Sequence, residues 1–367
     1  MIFSVKMLHQ HWNARQRGLG DLVKLYEKEG GWANMPEIIR QPEPFIICLG
    51  GRGTGKTYGS LKWCLENRIP FLYLRRKSSQ MELVAKNEFS PIVKVGEDLG
   101  LHLTSCMLSK YAAGVSHIGE DGKPVGDAVA YIMALATMAN ARSFDASGVK
   151  LIIYDEAIPE KHESRISHEE DAILNMYESI NRNRELSGED PVKLLVLANA
   201  NDLEAPVLRA FRAIRALDSM RKTGSTEKHL KEQGLCIVIL KDSPVSANKR
   251  ETALYRLAGS GNDFTDMAID NSFSRDNYAD IRPRPLQEFI PIAGIGEITL
   301  YRHKSDGTYY VSEKRSGDPE IFDNTATDRI RFRKKYFQAW EAYFKKRMLF
   351  ETAPAKVFYR AVMQENL

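Results

Sequence analysis

The feature that most constrains the fold is an apolar strand that leads directly into a glycine-rich loop. The strand-like segment FIICL spans residues 45–49, and GGRGTGKT follows at Gly50–Thr57. The loop fits the pattern G-x-x-x-x-G-K-[ST] at every fixed position, and a helical pattern, YGSLKWCLEN, comes next. Strand, loop and helix in this order predict a phosphate-binding P-loop rather than an ordinary glycine-rich turn.

The P-loop supplies the first candidate site residues. Backbone N–H groups of such a loop converge on phosphate oxygens, and the start of the helix adds a positive dipole end. Lys56 is expected to reach the β- and γ-phosphates of ATP, and the Thr57 hydroxyl is expected to ligate Mg²⁺. The predicted ATP-binding residues are Gly50, Gly51, Arg52, Gly53, Thr54, Gly55, Lys56 and Thr57.

An acidic pair ends a second apolar strand, LIIYDE at residues 151–156. Open α/β sheets bind their ligands at the carboxyl ends of their strands. Asp155 is therefore predicted to hold Mg²⁺ through water, and Glu156 to polarise the attacking water as a general base. The alternative, a surface Asp-Glu pair after a core strand, is disfavoured by the P-loop. Most nucleotide kinases lack the second carboxylate, whereas ATPases that do mechanical work usually have it.

Two further segments carry weaker signals. LLVLANAN (194–201) is a strand pattern with polar residues at its end, and Asn199 is a candidate sensor of the γ-phosphate, although many strands end in Asn. NRNRE (181–185) follows a helical pattern. One of its arginines, Arg182 or Arg184, is a candidate arginine finger for a neighbouring subunit, since such a group stabilises transition-state charge. The alternative is that both are solvated charges.

The basic residues of the chain bear on its interaction with nucleic acid. The formal net charge is only +4, so any nucleic-acid surface must be a local concentration of charge. RIRFRKKYFQAWEAYFKKR (329–347) interleaves basic and aromatic residues, which is typical of a nucleic-acid surface. Lys334 and Lys335 are the candidate DNA contacts within it. An amphipathic helix with core aromatics and solvated charges fits the same segment equally well.

Alternation of strand and helix patterns organises the chain. From Phe45 to about Asn201, apolar strands alternate with helical stretches, which predicts an α/β domain with an open sheet. Hairpins are predicted at 115–131 and 298–313, each turning at Asp-Gly, and a short helix near Leu22–Lys28. The predicted domains are an N-terminal extension at 1–44, a P-loop ATPase domain at 45–204, a helical linker at 205–234 and a smaller α+β nucleic-acid-binding domain at 235–367. No apolar stretch approaches membrane-spanning length.

Several of these elements, in this order, resemble the DNA-packaging ATPases of phi29-type bacteriophages. The resemblance covers about residues 40–315 and is specific in the first 200 residues. The segments that carry it are FLYLRR (71–76), a DGK hairpin (121–123), LIIYDE (151–156), NRNRE (181–185), LLVLANA (194–200) and KRETALYRLAGSGNDFTDMAIDNSF (249–273).

The resemblance implies more than the spacing shows. Members of this family form a ring, usually a pentamer, on the portal of an empty capsid and pump double-stranded DNA inward with ATP. Their first domain is an additional-strand (ASCE-type) P-loop ATPase with a mostly parallel central sheet and a catalytic glutamate. Their second domain is RNase H-like and serves as a vestigial nuclease that binds nucleic acid. The protein is then expected in the host cell cytoplasm, transiently on the viral procapsid.

The resemblance also assigns individual residues. Arg182 falls on the family's trans-acting arginine, and Arg142 on a second basic residue that reaches the neighbouring site, where the family has lysine. Lys161 falls on a pore-facing lysine, and Lys77 lies next to a similar position. The N-terminal segment is longer here than in the family, and its role is unassigned. The sequence leaves open whether a structural packaging RNA takes part, as it does in the family prototype.

Other functions share some of these motifs. A different P-loop nucleic-acid translocase is one alternative, a large terminase with an active nuclease is another, and a P-loop small-molecule kinase is disfavoured by Glu156. A non-catalytic assembly protein that uses ATP only as a structural ligand is disfavoured by the complete catalytic set. An active nuclease requires an acidic cluster in the second domain, and no clear metal-binding constellation is formed by Asp242, Asp266, Asp270 and Asp276. We therefore predict no nuclease activity.

Overall fold

The computed structural model describes residues 24–141, 144–160, 163–164, 166–259, 265, 273 and 278–364. The chain divides into two compact units. The first unit takes the residues up to Ala213 and those from Met220 to Ser272, and the second takes Ile214–Ser219 and the residues from Phe273 onwards. Of the helices in the described residues, none is long and apolar enough to cross a bilayer.

The first unit is built on one large sheet. Its nine described strands run in the order β3-β4-β5-β2-β6-β7-β1-β9-β8. The strands are β1 (Phe45–Gly50), β2 (Phe71–Arg75), β3 (Leu103–Ser109), β4 (Ala112–Ile118), β5 (Pro124–Ala134), β6 (Leu151–Tyr154), β7 (Lys193–Ala198), β8 (Glu227–Leu230) and β9 (Leu235–Leu240).

Six strands at the centre of the sheet run parallel to one another, and in sheet order they are β5, β2, β6, β7, β1 and β9. Strands β2, β6, β7 and β9 are buried along their whole length, which explains why their sequences are continuous apolar runs rather than alternating ones. Strand β7 lies between β1 and β6, so one additional strand separates the P-loop strand from the acidic strand. The prediction of an α/β domain of the additional-strand class is confirmed.

The predicted hairpin at 115–131 is also confirmed. Strands β4 and β5 pair antiparallel and turn through Asp121 and Gly122, where Gly122 has φ +77°. Together with β3 they extend one edge of the parallel sheet. At the opposite edge, β8 and β9 form a second antiparallel pair.

Helices cover the sheet and complete its core. Among the described residues of the first unit they are α1 (Met35–Ile39), α2 (Lys56–Glu66), α3 (Ser78–Val84), α4 (Pro91–Asp98), α5 (Glu169–Asn181), α6 (Pro206–Ala210), α7 (Ile214–Thr223, of which 214–219 group with the second unit), α8 (Pro244–Lys249) and α9 (Ala253–Ala258). Apolar residues of α1, α2 and α4 join the strand residues in one buried cluster.

The N-terminal segment differs from its prediction as a separate extension with a helix near Leu22–Lys28. Residues 24–28 are not helical, and Tyr26 instead forms an isolated antiparallel bridge with Ala33. The helix begins later, at α1, where Asn34 caps the first turn and Pro36 follows. Residues 24–44 belong to the first unit because the apolar face of α1 packs into its core.

The domain boundary predicted at residue 235 is wrong. Strand β9 was expected to open the second domain, but it pairs with β1 from Phe45↔Leu235 to Gly50↔Leu240. The region predicted as a helical linker contains α6 and α7 as expected, yet it also contains β8, which joins the large sheet. The buried apolar run of β9 satisfies its backbone groups in the sheet next to the P-loop strand.

The second unit is a smaller α+β domain, as predicted. Its mixed sheet has the order β13-β10-β11-β12-β14, and the predicted hairpin at 298–313 forms β11 and β12. Its elements are β10 (Phe289–Ile295), β11 (Ile298–His303), β12 (Tyr309–Ser312), β13 (Glu320–Phe322), α10 (Ala326–Lys335), α11 (Phe337–Phe344), β14 (Met348–Phe350) and α12 (Ala353–Gln364).

The basic, aromatic segment 329–347 falls on α10 and α11. Phe332 and Trp340 are buried in the core of the second unit, so the amphipathic-helix interpretation holds for these aromatics. Lys334 and Lys335 are exposed, and Lys335 Nζ donates to Glu320 Oε2 at 2.6 Å. The segment therefore presents charge outward, while Phe332 and Trp340 stabilise the fold.

Candidate nucleotide site

The P-loop joins the end of β1 to the start of α2 and lines a cavity of about 400 Å³. Gly53 and Gly55 have φ angles of +63° and +90°, which side-chain-bearing residues rarely adopt. A hydrogen bond within the loop stabilises its conformation, since Thr54 Oγ1 donates to the carbonyl of Gly51 at 3.0 Å. The loop and helix positions are those that the sequence predicted for phosphate binding.

Lys56 is buried at the base of this loop. Its Nζ donates to the carbonyls of Gly50 and Gly51 at 2.6 and 2.8 Å, and to Asn199 Oδ1 at 3.3 Å. Burial lowers the pKa of the Lys56 ammonium to about 8. Asn199 follows β7 and lines the same cavity, so the structure brings the predicted sensor and the P-loop lysine together.

The two predicted Mg²⁺ ligands are in contact. Thr57 Oγ1 donates to Asp155 Oδ2 at 2.9 Å, and Tyr73 donates to the same oxygen at 2.7 Å. Tyr73 lies on β2, the strand that pairs with β6, so its hydrogen bond fixes the Asp155 carboxylate at the end of β6. A hydroxyl beside a carboxylate is the oxygen donor set that P-loop enzymes use for Mg²⁺, so these residues fit the ion.

Glu156 points toward solvent, unlike its neighbour. Its side chain is 62% exposed and that of Asp155 is 7% exposed. Glu156 has φ +51°, and its carboxylate accepts a hydrogen bond from the guanidinium of Arg75. Arg75 also lies 3.5 Å from Asp155 Oδ2 and donates to the Tyr73 hydroxyl at 3.3 Å. Arg75, which also contacts Tyr73 and Asp155, therefore fixes the carboxylate of the candidate general base Glu156.

The role of Arg75 was not predicted from the sequence, although Arg75 lies in the segment FLYLRR (71–76). The available signal was that a basic residue ends β2, and β2 is paired with the strand that carries the acidic pair. The second missed residue is Asn201, which is buried, lines the cavity and has no hydrogen-bond partner for its Oδ1 among the described residues. The third missed residue is Lys249, which donates to the P-loop carbonyl of Arg52.

The two arginines of NRNRE have different surroundings. Arg182 is exposed at the end of α5, and its guanidinium donates to the carbonyl of Phe144 at 3.3 Å. Arg184 is buried and donates to the carbonyls of Val149 and Ser147 at 2.8 and 2.7 Å. Arg184 therefore stabilises the loop before β6. Of the described residues that line the nucleotide cavity, none comes from this segment.

Of the remaining candidates, Lys77 is among the described residues. Lys77 caps α3, and its Nζ donates to Ser164 Oγ at 2.8 Å. The neighbouring Arg76 is fully buried and makes two hydrogen bonds of 2.8 Å to the carboxylate of Glu169. The predicted residues Arg142 and Lys161 lie outside the described residues.

The acidic residues that were considered for a nuclease do not meet in the described part of the second unit. Asp242 follows β9 in the first unit. The other three lie outside the described residues, and they are Asp266, Asp270 and Asp276.

Fold and site together define a class. A P-loop strand separated by one strand from an Asp-Glu pair, with lysine, threonine and both carboxylates around one cavity, is the arrangement of an additional-strand P-loop ATPase. The model of the podovirus DNA encapsidation protein (Gp16) family matches residues 32–321, and the chain belongs to this family. It is thus an ATPase that drives DNA packaging.

Two solved packaging-motor structures share the fold. The bacteriophage phi29 viral genome packaging motor assembly contains a chain with 17% identity and a TM-score of 0.61, and the match covers 91% of this chain and 99% of that one. The Phi-28 gp11 DNA packaging motor gives 16% identity and a TM-score of 0.61, covering 90% and 97%. No curated protein sequence matches this chain.

Proposed function

We propose that this chain is one subunit of a ring that hydrolyses ATP at its subunit interfaces and moves double-stranded DNA into a procapsid. The observation that carries the proposal is the contact of Thr57 with Asp155 at 2.9 Å, in a cavity that Lys56 and Glu156 also line. These are the groups needed to bind a triphosphate and activate a water, and the family is one of DNA encapsidation.

Each residue has a role in the proposed reaction. Thr57 and Asp155 would hold Mg²⁺, which neutralises charge on the β- and γ-phosphates. Lys56 moves its ammonium from the loop carbonyls to the phosphate oxygens. Glu156 accepts the proton of the attacking water, and Arg75 orients that carboxylate through its hydrogen bond. Asn199 contacts the γ-phosphate, so the presence of this group affects the position of Asn199 at the end of β7.

The transition-state arginine is proposed to come from a neighbouring subunit. Arg182 is exposed on the surface, and no described residue of the segment NRNRE lines the nucleotide cavity of its own subunit. An arginine given in trans is worth roughly 10³–10⁵ in rate for P-loop enzymes. Arg142 is proposed as a second basic group for the same neighbouring site, in line with the family resemblance.

Mixing two inactive variants tests this arrangement. Arg182→Ala should bind ATP and barely turn over, and Lys56→Ala should be inactive yet still offer its arginine to a neighbour. Mixed rings contain interfaces that pair an intact P-loop with an intact Arg182, so hydrolysis should partly return. Recovery should vanish on dilution as the ring dissociates. Wild-type turnover by Arg182→Ala, or no recovery in rings confirmed by mass, would reject a trans arginine.

The proposed partners are double-stranded DNA, further copies of the chain in a pentameric ring, and the capsid portal. Lys77 and Lys161 are proposed to face the DNA from the first unit, and Lys334 and Lys335 from the second. The exposure of both residues on α10 supports this. A structural packaging RNA is a further proposed partner. It is tested by adding RNA from infected cells to the purified chain and measuring whether the particle mass rises to that of a ring. The second unit is proposed to bind nucleic acid without cleaving it.

A further inference from the structure

The N-terminal segment, whose role the sequence left unassigned, lies against the P-loop. The backbone N–H of Ala33 donates to the carbonyl of Thr54 at 2.9 Å, and the Tyr26–Ala33 bridge closes the turn between them. The next residues continue along the first turns of α2, since a Cβ at Gly59 would lie 2.8 Å from Met35 Cγ. The turn 26–33 is thus fixed beside the start of the nucleotide-binding helix.

Trp32, in this turn, is both anchored and exposed. Its indole is held between two glycines, because a Cβ at Gly30 would lie 2.8 Å from its Cδ1 and a Cβ at Gly55 would lie 3.2 Å from its Cε3. Nevertheless 46% of the residue is exposed to solvent. A large ring that is fixed in orientation and open to solvent, directly on the P-loop, is preorganised to bind a flat apolar surface.

The position of Trp32 relative to the sheet indicates which part of a nucleotide it would meet. Asp155, Glu156 and Asn199 follow β6 and β7, on one side of β1, and they mark the γ-phosphate end. The turn with Trp32 lies on the other side, where β9 is.

Two contacts fix this placement. Tyr26 donates to the carbonyl of Lys241 at 2.5 Å, just after β9, and Gly31 lies against Pro244 at the start of α8. A triphosphate seated in the loop with its γ-phosphate at Asp155 directs its nucleoside away from β7. The base is thereby brought toward the β9 side, where the indole of Trp32 is exposed.

We propose that Trp32 is the stacking surface for the nucleobase of the ATP bound in the P-loop of the same chain. This inference rests on the proposed function of the site as an ATPase. The ligand class is a nucleoside triphosphate, and the part recognised is the π-face of its base. Stacking on an aromatic ring tolerates any base, so Trp32 adds affinity for the nucleoside without a strict requirement for adenine.

The test compares a ligand with a base and one without. Calorimetry measures the Kd of the non-hydrolysable analogue AMP-PNP and of inorganic tripolyphosphate, each with Mg²⁺, for the full chain and its variants. Trp32→Ala should weaken AMP-PNP by about 5- to 100-fold, the range of aromatic–base stacking, and leave tripolyphosphate within about twofold. Trp32→Phe should recover most of the loss, because phenylalanine retains a stacking face. The matched control is Phe89→Ala, an exposed aromatic outside the cavity.

Other outcomes would overturn the inference in distinguishable ways. Equal weakening of both ligands by Trp32→Ala would mean that the indole only supports the loop. Unchanged affinity for both, with a lower particle mass, would make Trp32 a contact between subunits instead. If the wild-type chain bound neither ligand, the proposed ATPase site itself would fail, whereas tight tripolyphosphate binding with no gain from the base would reject Trp32 alone.

Discussion

The buried ion pair between Arg76 and Glu169 gives the sharpest test of the packing around the site. Arg76 is 0% exposed and Glu169 is 1% exposed, and two hydrogen bonds of 2.8 Å join them. The pair connects the end of β2 to the first residue of α5, the helix that ends next to Arg182. Arg76→Met removes the positive partner of the buried Glu169 carboxylate, which keeps only the Tyr154 hydroxyl at 3.4 Å, and it also removes the 3.1 Å ion pair of Arg76 with the partly exposed Glu163.

The expected cost follows from that burial. Removing one partner of a buried pair destabilises a protein by about 3–5 kcal/mol, whereas replacing both partners by apolar residues is often nearly neutral. At roughly 2–4 °C per kcal/mol for a unit of this size, Arg76→Met should lower the first unfolding transition by about 6–20 °C. The double variant Arg76→Met/Glu169→Met should regain most of this loss.

Calorimetric scans of the full chain measure the effect, and a surface pair provides the control. Lys94 and Glu97 are 71% and 58% exposed, so Lys94→Met should leave the unfolding transition nearly unchanged. The reasoning would be refuted if Arg76→Met were as stable as Lys94→Met. It would also be refuted if the double variant were no more stable than Arg76→Met, because the cost would then not come from an unpaired buried charge.

Three further predictions concern the site. Glu156→Gln should keep ATP affinity and slow hydrolysis by roughly 10²–10⁴, measured by single-turnover rates; a matching loss of binding would indicate a structural role. The pKa of Lys56 is lowered to about 8, so much of this side chain is neutral at pH 8.5, whereas the bound phosphate interacts with its charged ammonium form. ATP binding at pH 8.5 should therefore take up protons, which calorimetry in buffers of different ionisation enthalpy detects. Binding without proton uptake would contradict this prediction. Arg184→Met should lower thermal stability through its lost carbonyl contacts, whereas Arg182→Met should leave stability unchanged and reduce turnover.

The sequence predicted those parts of the molecule that depend on short-range patterns. The P-loop and the hairpin turns are specified by glycines and by adjacent residues, and the apolar run before Asp155 places that carboxylate at a strand end. The structure confirms that the P-loop and Asp155 meet at the carboxyl ends of the central strands. Their spacing along the chain and the rules of parallel sheets are sufficient to bring them together.

Features that depend on long-range pairing were not predictable in this way. The apolar run of β9 fits either domain, and only its pairing with β1 assigns it to the first. Arg182 and Arg184 lie two positions apart in the same motif, yet one is exposed and the other buried, because the latter meets the loop at 146–149. Trp32 has no periodic pattern around it, so its place on the P-loop became visible only in the folded chain.

The central claim, that this chain couples ATP hydrolysis to DNA movement as a ring, is tested most directly by one measurement. Steady-state ATP turnover of the purified chain is measured with and without double-stranded DNA while particle mass is recorded in the same solution, with Lys56→Ala as the background. The account predicts a multi-subunit particle whose turnover rises on adding DNA. A particle that hydrolyses ATP as a monomer, at a rate that DNA does not change, would contradict it.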